Sequence, residues 1–166
     1  MSEREQSWSD QPPGLGRLVL VSDNPVSRAI AGIGEVVGLD VVMLGDDEGG
    51  ASVTSLRDLA PTESDAVVIC DHDAPDAPQV LRDALDGHAG YVAMLASRSR
   101  TSRMLEELRG EGYDEHTLAR LHMPAGLDTG GKTPGEMALS VVAEVVAASH
   151  GRAGGQMRAG SGESRS

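Results

Sequence analysis

Four stretches of the chain carry residue types and spacings that could do chemistry. The first is GLDTGGKT, Gly126 to Thr133, which fits the nucleotide-loop pattern G-x-x-x-x-G-K-[ST] without a mismatch. In such a loop, backbone N–H groups cradle phosphates and the lysine reaches the β/γ-phosphates, provided that a buried strand leads in and a helix leads out. Here the leading segment RLHMPA is short, polar and interrupted by Pro124, and Pro134 follows Thr133 directly. Thr133-Pro134-x-Glu136 instead reads as an ordinary helix start: a cap, a proline at the first position, a glutamate at the third. The apolar strand ending in a magnesium-binding aspartate should come later, whereas AVVICD comes earlier. With 21 glycines in 166 residues a chance match is easy. ATP and GTP are not the expected ligands.

The second stretch, Cys70-Asp71-His72-Asp73, crowds four metal-ligand types together. Neighbours on an extended chain point to opposite sides, so the four cannot converge on one ion. His88, His116 and His122 are scattered rather than zinc-spaced, and no metal is expected. Cys70 reads as a small buried hydrophobe, with a sulfur-handling role left open by its place at a strand end. The third stretch runs Ser97-Arg98-Ser99-Arg100-Thr101-Ser102-Arg103. Its hydroxyls, helix-start N–H groups and arginine forks suit a phosphate or a carboxylate. The same pattern also serves as a plain N-cap whose arginines pair with Glu106 and Glu107. The fourth is the turn Val21-Ser22-Asp23-Asn24-Pro25-Val26-Ser27, where a dinucleotide domain would carry G-x-G-x-x-G. No glycine comes before Gly32, Asp23 puts a carboxylate where a pyrophosphate would lie, and Pro25 lacks an N–H. NAD(P) is therefore a secondary expectation. Asp46 and Asp47 stand where a ribose-binding acid would be, but without the glycines they read as a solvated loop.

These stretches must be held by the elements between them. RLVLV (17–21), DVVML (40–44), AVVIC (66–70) and YVAML (91–95) are near-continuous apolar runs, which marks strands buried on both faces. Val26, Ile30, Ile33 and Val37 space a helix after the first strand, with Asp23 or Asn24 as cap, Pro25 in the first turn and Gly38 at its end. Further helices are expected from Pro78 to Leu85, from the arginine-rich stretch to Gly110, over Glu115 to Arg120, and from Thr133 to Ser149. On that last helix Met137, Val141, Glu144 and Val145 fall along one side. A minor strand is expected within Leu121 to Met123. The alternation predicts an α/β fold, a single Rossmann-like domain with a doubly wound, mostly parallel sheet whose ligands sit at the strand carboxyl ends. Residues 16–150 form that domain, and 1–15 and 151–166 are expected to be disordered tails.

Composition narrows the partners. A formal charge of −12 repels nucleic acid and anionic membranes. With no phenylalanine and only Trp8, Tyr91 and Tyr113 as aromatics, there is no platform for stacking bases. No apolar run is long enough to span a membrane, the polar start lacks a signal peptide, and the single cysteine suits the cytoplasm.

One block is specific enough to carry a resemblance. Leu121-His122-x-Pro124-x-Gly126-Leu127-Asp128-x-Gly130-x-x-Thr133-Pro134-x-Glu136 leads into Ala138-Leu139-Ser140 and Ala143-Glu144. Upstream stand Asp73-Ala74-Pro75, Leu81, Ala84, Leu85, Tyr91-Val92, Leu95, Ser97-Arg98, Arg103 and Gly112. In order and spacing this resembles the C-terminal Rossmann domain of the XdhC/CoxI family, accessory proteins of molybdenum hydroxylases. The resemblance runs strongly over Asp71 to Gly151 and loosely over Arg17 to Met43. It implies a chaperone role without turnover, binding the molybdenum cofactor (molybdopterin) and handing it to a hydroxylase of xanthine dehydrogenase or CO dehydrogenase type. It points to Ser97, Arg98 and Arg103 for the cofactor phosphate, with His122, Gly126, Asp128 and Gly130 as the neighbouring rim. Partners would be hydroxylase subunits, a cysteine desulfurase, a protein carrying the N-terminal segment that many members have, or a second copy as a homodimer. Two motifs depart from the family: SDNPVS replaces its Gly-x-Gly-type first turn, and Ala96-Ser97-Arg98-Ser99 replaces its Gly-Ser-Arg-Arg. A NAD(P)-dependent oxidoreductase and a ligand-free interaction module are the competing readings.

Overall fold

The computed structural model describes residues 16–45 and 56–158. The tail 1–15, the acidic pair Asp46 and Asp47, and residues 159–166 lie outside them. The order of elements is β1 (Arg17–Val21), α1 (Pro25–Val36), β2 (Asp40–Leu44), α2 (Leu56–Leu59), β3 (Ala66–Ile69) and α3 (Ala77–Asp86). Then come β4 (Tyr91–Met94), α4 (Arg98–Gly110), α5 (Glu115–Leu118), β5 (Leu121–His122) and α6 (Pro134–Ser149). The five strands pair in the order β2-β1-β3-β4-β5, every pair parallel. This is the doubly wound, Rossmann-like sheet expected from the apolar runs.

Alternate residues of each central strand supply two cores. Leu18, Leu20, Val68, Ala93 and Tyr91 face α1 and α6, where Ile30, Val141, Val142 and Val145 meet them. Val19, Val67, Ile69, Val92 and Met94 face the other way, against Leu56, Leu81, Leu85, Leu108 and Leu118. β1, β3 and β4 are thus covered on both sides, which is why their sequences do not alternate with polar residues. Pro124 has no N–H to give a sheet and β5 stops after two residues, with the Met123–Pro124 peptide cis. The short helix α2 has no periodicity long enough to have been anticipated. Past α6, the N–H groups of Gly151 and Arg152 bond Ala148 O and Ala147 O, closing the helix end. The chain then runs without helix or strand to Arg158, and Gly154 lies against the side chains of Leu127 and Ala147.

At the amino ends of β1 and β3, one buried carboxylate joins the strands. Asp65 accepts from Arg17 N (2.8 Å), from the Arg17 guanidinium (2.8 Å) and from Thr62 N (2.7 Å). Burial pushes its carboxyl up, but the Arg17 guanidinium and the two amides outweigh this and bring it from 3.8 down to about 2. A lowered folded-state value means stability that is present above pH 4 and is lost as pH falls towards 2. Asp65→Asn should therefore lower the unfolding free energy at pH 7 by about 2 kcal/mol. In urea titrations the gap between variant and wild type should close progressively between about pH 4 and about pH 2, and a gap independent of pH would contradict this account.

Candidate functional site

The chain runs from β1 outward to β2 and then back across to β3, so strand order reverses between β1 and β3. Ligands of open α/β sheets sit outside the carboxyl ends of the strands at such a point. A cleft of about 620 Å3 lies there, within the range of small-molecule sites. Its apolar parts include Val26, Leu95, Leu127 and Met137; Ser97 and Arg98 enter from the β4–α4 turn, and Asp128 to Lys132 from the loop before α6. A second hollow of about 630 Å3 lies at the opposite, amino ends of β3 and β4, between α2 and α3, where Arg57 pairs with Asp83. Its place in the fold argues against it as the ligand site.

The first strand–helix turn is closed to a pyrophosphate. Asn24 Oδ1 accepts from Val26 N (3.0 Å) and Ser27 N (2.9 Å), and Ser27 Oγ accepts from Asn24 N (2.8 Å). Pro25 has no N–H, so the donors that would hold a phosphate are absent or already bonded. Asn24 Nδ2 also donates to Cys70 O at 3.1 Å, tying α1 across the switch point. Ser22 keeps the φ of +80° that a glycine-type turn would have, although it is not glycine.

The GLDTGGKT loop is closed in a similar way. Thr133 caps α6, and Glu136 Oε2 accepts from Lys132 N (3.0 Å) and Thr133 N (3.1 Å), the amides that would hold a nucleotide phosphate. The Thr133 and Lys132 groups hold the Glu136 carboxyl below its usual range. The loop follows a two-residue strand at the sheet edge rather than a buried central one.

The β4–α4 turn is different. Ser97 Oγ takes Arg100 N at 3.2 Å, while the first-turn amides of Arg98 and Ser99 and the Arg98 guanidinium have no partner among the described residues. Beside them His72 Nδ1 bonds Leu95 O at 2.9 Å, which requires the proton on Nδ1, and Asp73 pairs with Arg100 at 3.1 Å. The thiol of Cys70 is buried and bonds Val68 O, and burial pushes it up to about 12, which removes it as a thiolate nucleophile near neutral pH. Among the described residues no group of three His, Cys, Asp or Glu could hold a metal ion.

One carboxylate fixes the far wall of the cleft. Glu144 Oε1 on α6 accepts from Tyr91 Oη (2.6 Å) and Gly126 N (3.1 Å), and His122 Nδ1 lies 3.4 Å away. The rings of Tyr91 and His122 stack with centroids 4.4 Å apart. Burial pushes the Glu144 carboxyl up, but His122, Tyr91 and the Gly126 amide outweigh it and hold it below its usual range. Leu127 N then bonds Ser140 O, laying the loop along α6.

The structure thus brings Ser97, Arg98, Asp128 and Gly130 to one cleft, with Gly126 on its adjoining rim. Arg103 is exposed on α4 and lines neither part, and His122 lies behind the wall in the Glu144 cluster. His72, Val26, Leu95 and Met137 line the cleft although their patterns suggested strand end or helix core. The strand-end position of His72 was the only signal available for it. For a cofactor built of a pterin and one phosphate, the residues fit: the apolar lining suits the rings, and Arg98 with the two open amides suits the phosphate.

Fold and cleft together define a Rossmann-like domain whose usual pyrophosphate turn is sealed and whose open cleft lies at β4 and the loop before α6. The family profile of the XdhC Rossmann domain matches residues 18–145, and the chain belongs to that family. It is 29% identical over 160 residues to the uncharacterized protein YqeB of Escherichia coli (strain K12), covering 85% of this chain and 29% of that protein. It is also 29% identical over 82 residues to a probable xanthine dehydrogenase subunit from Bacillus subtilis (strain 168), covering 49% of this chain and 23% of that one. Among solved structures it shares the fold of a xanthine dehydrogenase from Bacillus halodurans, with a TM-score of 0.68 and 21% identity over 82% of this chain and 43% of the other. The chain therefore spans less than a third of the two sequence relatives and less than half of the structural one. No helix among the described residues is long and apolar enough to cross a membrane.

Two glycines of the loop test how the wall is built. Gly126 has φ +100° and a Cβ there would stand 2.5 Å from Ser140 Oγ, whereas Gly130 has φ +78° and open space around it. Gly126→Ala should destabilise by about 2–4 kcal/mol, strain plus a steric clash, and Gly130→Ala by only about 1 kcal/mol. Chemical denaturation of both variants checks the ordering, and equal losses would contradict it.

Proposed function

We propose that this domain serves the maturation of a molybdenum hydroxylase of xanthine dehydrogenase or CO dehydrogenase type, and that its cleft holds the molybdenum cofactor during transfer. The reading is supported by membership of the XdhC family and by the likeness to a Bacillus subtilis protein named for xanthine dehydrogenase. The observation that carries it is the contrast between the two helix starts. The amides at α1 are consumed by Asn24 and Ser27, while those of Arg98 and Ser99 stand open beside a guanidinium that has no partner among the described residues. That arrangement selects a ligand with one phosphate at α4 over a dinucleotide spread across the first turn. When bound, the cofactor supplies the dithiolene-held molybdenum that the client enzyme uses. In this role Arg98 and the α4 amides hold the phosphate, and Ser97 closes the next amide. Asp128 and Gly130 shape the rim, Gly126 holds the loop through Glu144, and the apolar side chains keep water from the rings. Hydroxylase subunits are the partners this role requires, with a cysteine desulfurase or a carrier of the family's N-terminal segment as further associates. The domain itself performs no turnover.

The test is retention of cofactor by the purified protein after co-expression with a molybdenum hydroxylase. Arg98→Ala should reduce retention at least about tenfold, the loss of one charge-assisted phosphate contact, and Asp128→Ala should reduce it less, both without loss of thermal stability. Unchanged retention in both variants would remove the site assignment. NADH and NADPH should show no saturable micromolar binding, and finding it would favour an oxidoreductase instead.

A further inference from the structure

Helix α1 presents one stripe to solvent, formed by Pro25, Arg28, Gly32, Glu35 and Val36, with half-buried Ala29 beside it. The stripe holds two residues that the fold of a single chain does not explain. Val36 is 86% exposed, and Val37 next to it is 43% exposed. Gly32 sits mid-helix, where glycine is unfavourable relative to alanine, yet a Cβ there would meet nothing within 4 Å. Gly34 two residues on has a clear internal reason, since its Cβ would stand 2.9 Å from Leu18 Cδ2. Gly32 has none among the described residues.

We propose that a second copy of this chain docks on α1, with the two helices antiparallel about a two-fold axis at Gly32. The charges argue for self-pairing. Arg28 and Glu35 are seven residues apart, two helical turns, and so lie on the same flank of the stripe. A two-fold axis midway between them places Arg28 of each copy opposite Glu35 of the other, because antiparallel helices bring like flanks together. On the opposite flank the same axis brings Ala29 of one copy and Val36 of the other within about one helical turn of each other. Gly32 falls at the crossing, where a missing side chain lets the two backbones approach. Arg28 is not withdrawn from this role: its Nε bonds Asp23 Oδ1 at 2.8 Å, which leaves the two terminal nitrogens of the fork to donate elsewhere. Leu139 on α6, the helix packed beside α1, is also 57% exposed.

Self-pairing also fits the charge of the whole chain. At −12, two copies repel over most of their surfaces, so a stripe carrying matched opposite charges around an apolar centre is where contact is permitted. The helix is only about 18 Å long, shorter than a standard protein–protein interface requires, which makes the dimer a reversible one. The contact lies on the helix face turned away from the sheet and does not depend on what the cleft holds.

Sedimentation equilibrium of the full chain over a wide concentration range tests this. The wild type should show a reversible monomer–dimer equilibrium. Arg28→Glu should weaken it at least about tenfold by setting like charges opposite each other twice, and the double change Arg28→Glu/Glu35→Arg should restore it. Gly32→Gln should weaken the dimer while leaving the helix formed, as read by circular dichroism. A protein monomeric at every concentration would overturn the proposal, whether another segment or another protein covers α1. So would a dimer that Arg28→Glu leaves unchanged, and a double variant that does not regain pairing would overturn the antiparallel register.

Discussion

The carboxylate of Glu144 is the interaction on which the shape of the loop beside the cleft depends. It stands on α6 but its partners come from elsewhere: the hydroxyl of Tyr91 on β4, the amide of Gly126 in the loop, and the ring of His122 on β5. An ionised group largely removed from water is tolerable only with such partners, and here each partner is also a fixed point of the fold. Through them the last helix, the edge of the sheet and the loop from Ala125 to Lys132 become one unit. β5 is too short to hold that loop alone, and the bond from Ala125 N to Met94 O on β4, Glu144 and the Leu127–Ser140 bond hold it together.

Against that wall, the proposed choice of ligand rests on which backbone amides remain open. Among the described residues, three helix or loop starts match motifs that hold phosphates in other proteins. Two are filled from within, α1 by Asn24 and Ser27, and the GLDTGGKT loop by Glu136. Of the three, only α4 has a cap that satisfies one amide and leaves its neighbours open beside the Arg98 guanidinium. The domain keeps the architecture of a dinucleotide fold, down to the glycine-like backbone at Ser22, while its donors are redistributed to one end of the cleft.

Much of this was legible in the sequence because it is local. The apolar runs fix four strands to within a residue, and Thr133-Pro134-x-Glu136 announces its own capping box and with it the failure of the nucleotide motif. Asn24 could be read as a cap, and Ser97-Arg98 as a helix start rich in donors. What stayed hidden depends on contacts far apart in the chain. Glu144 fell among the apolar positions of α6, but nothing in its neighbourhood names Tyr91, 53 residues earlier. The family resemblance put His122 on the rim, whereas in the structure its ring stacks on Tyr91 beside Glu144. Arg103 shared a motif with Arg98 yet sits elsewhere on the turn of α4, since five residues of helix rotate it away. Asp65 gave no signal at all, because its partners Arg17 and Thr62 meet only once β1 and β3 lie side by side.

The central claim is that this Rossmann-like domain receives an anion at α4 and not at its first turn. Backbone amide shifts of the isotope-labelled full chain, followed during titration with inorganic pyrophosphate, test it most directly. The account predicts saturable shifts at Arg98 and Ser99, with smaller ones at Gly130, and none at Val26 and Ser27. Shifts centred on Val26 and Ser27, or on Lys132 and Thr133, would contradict it.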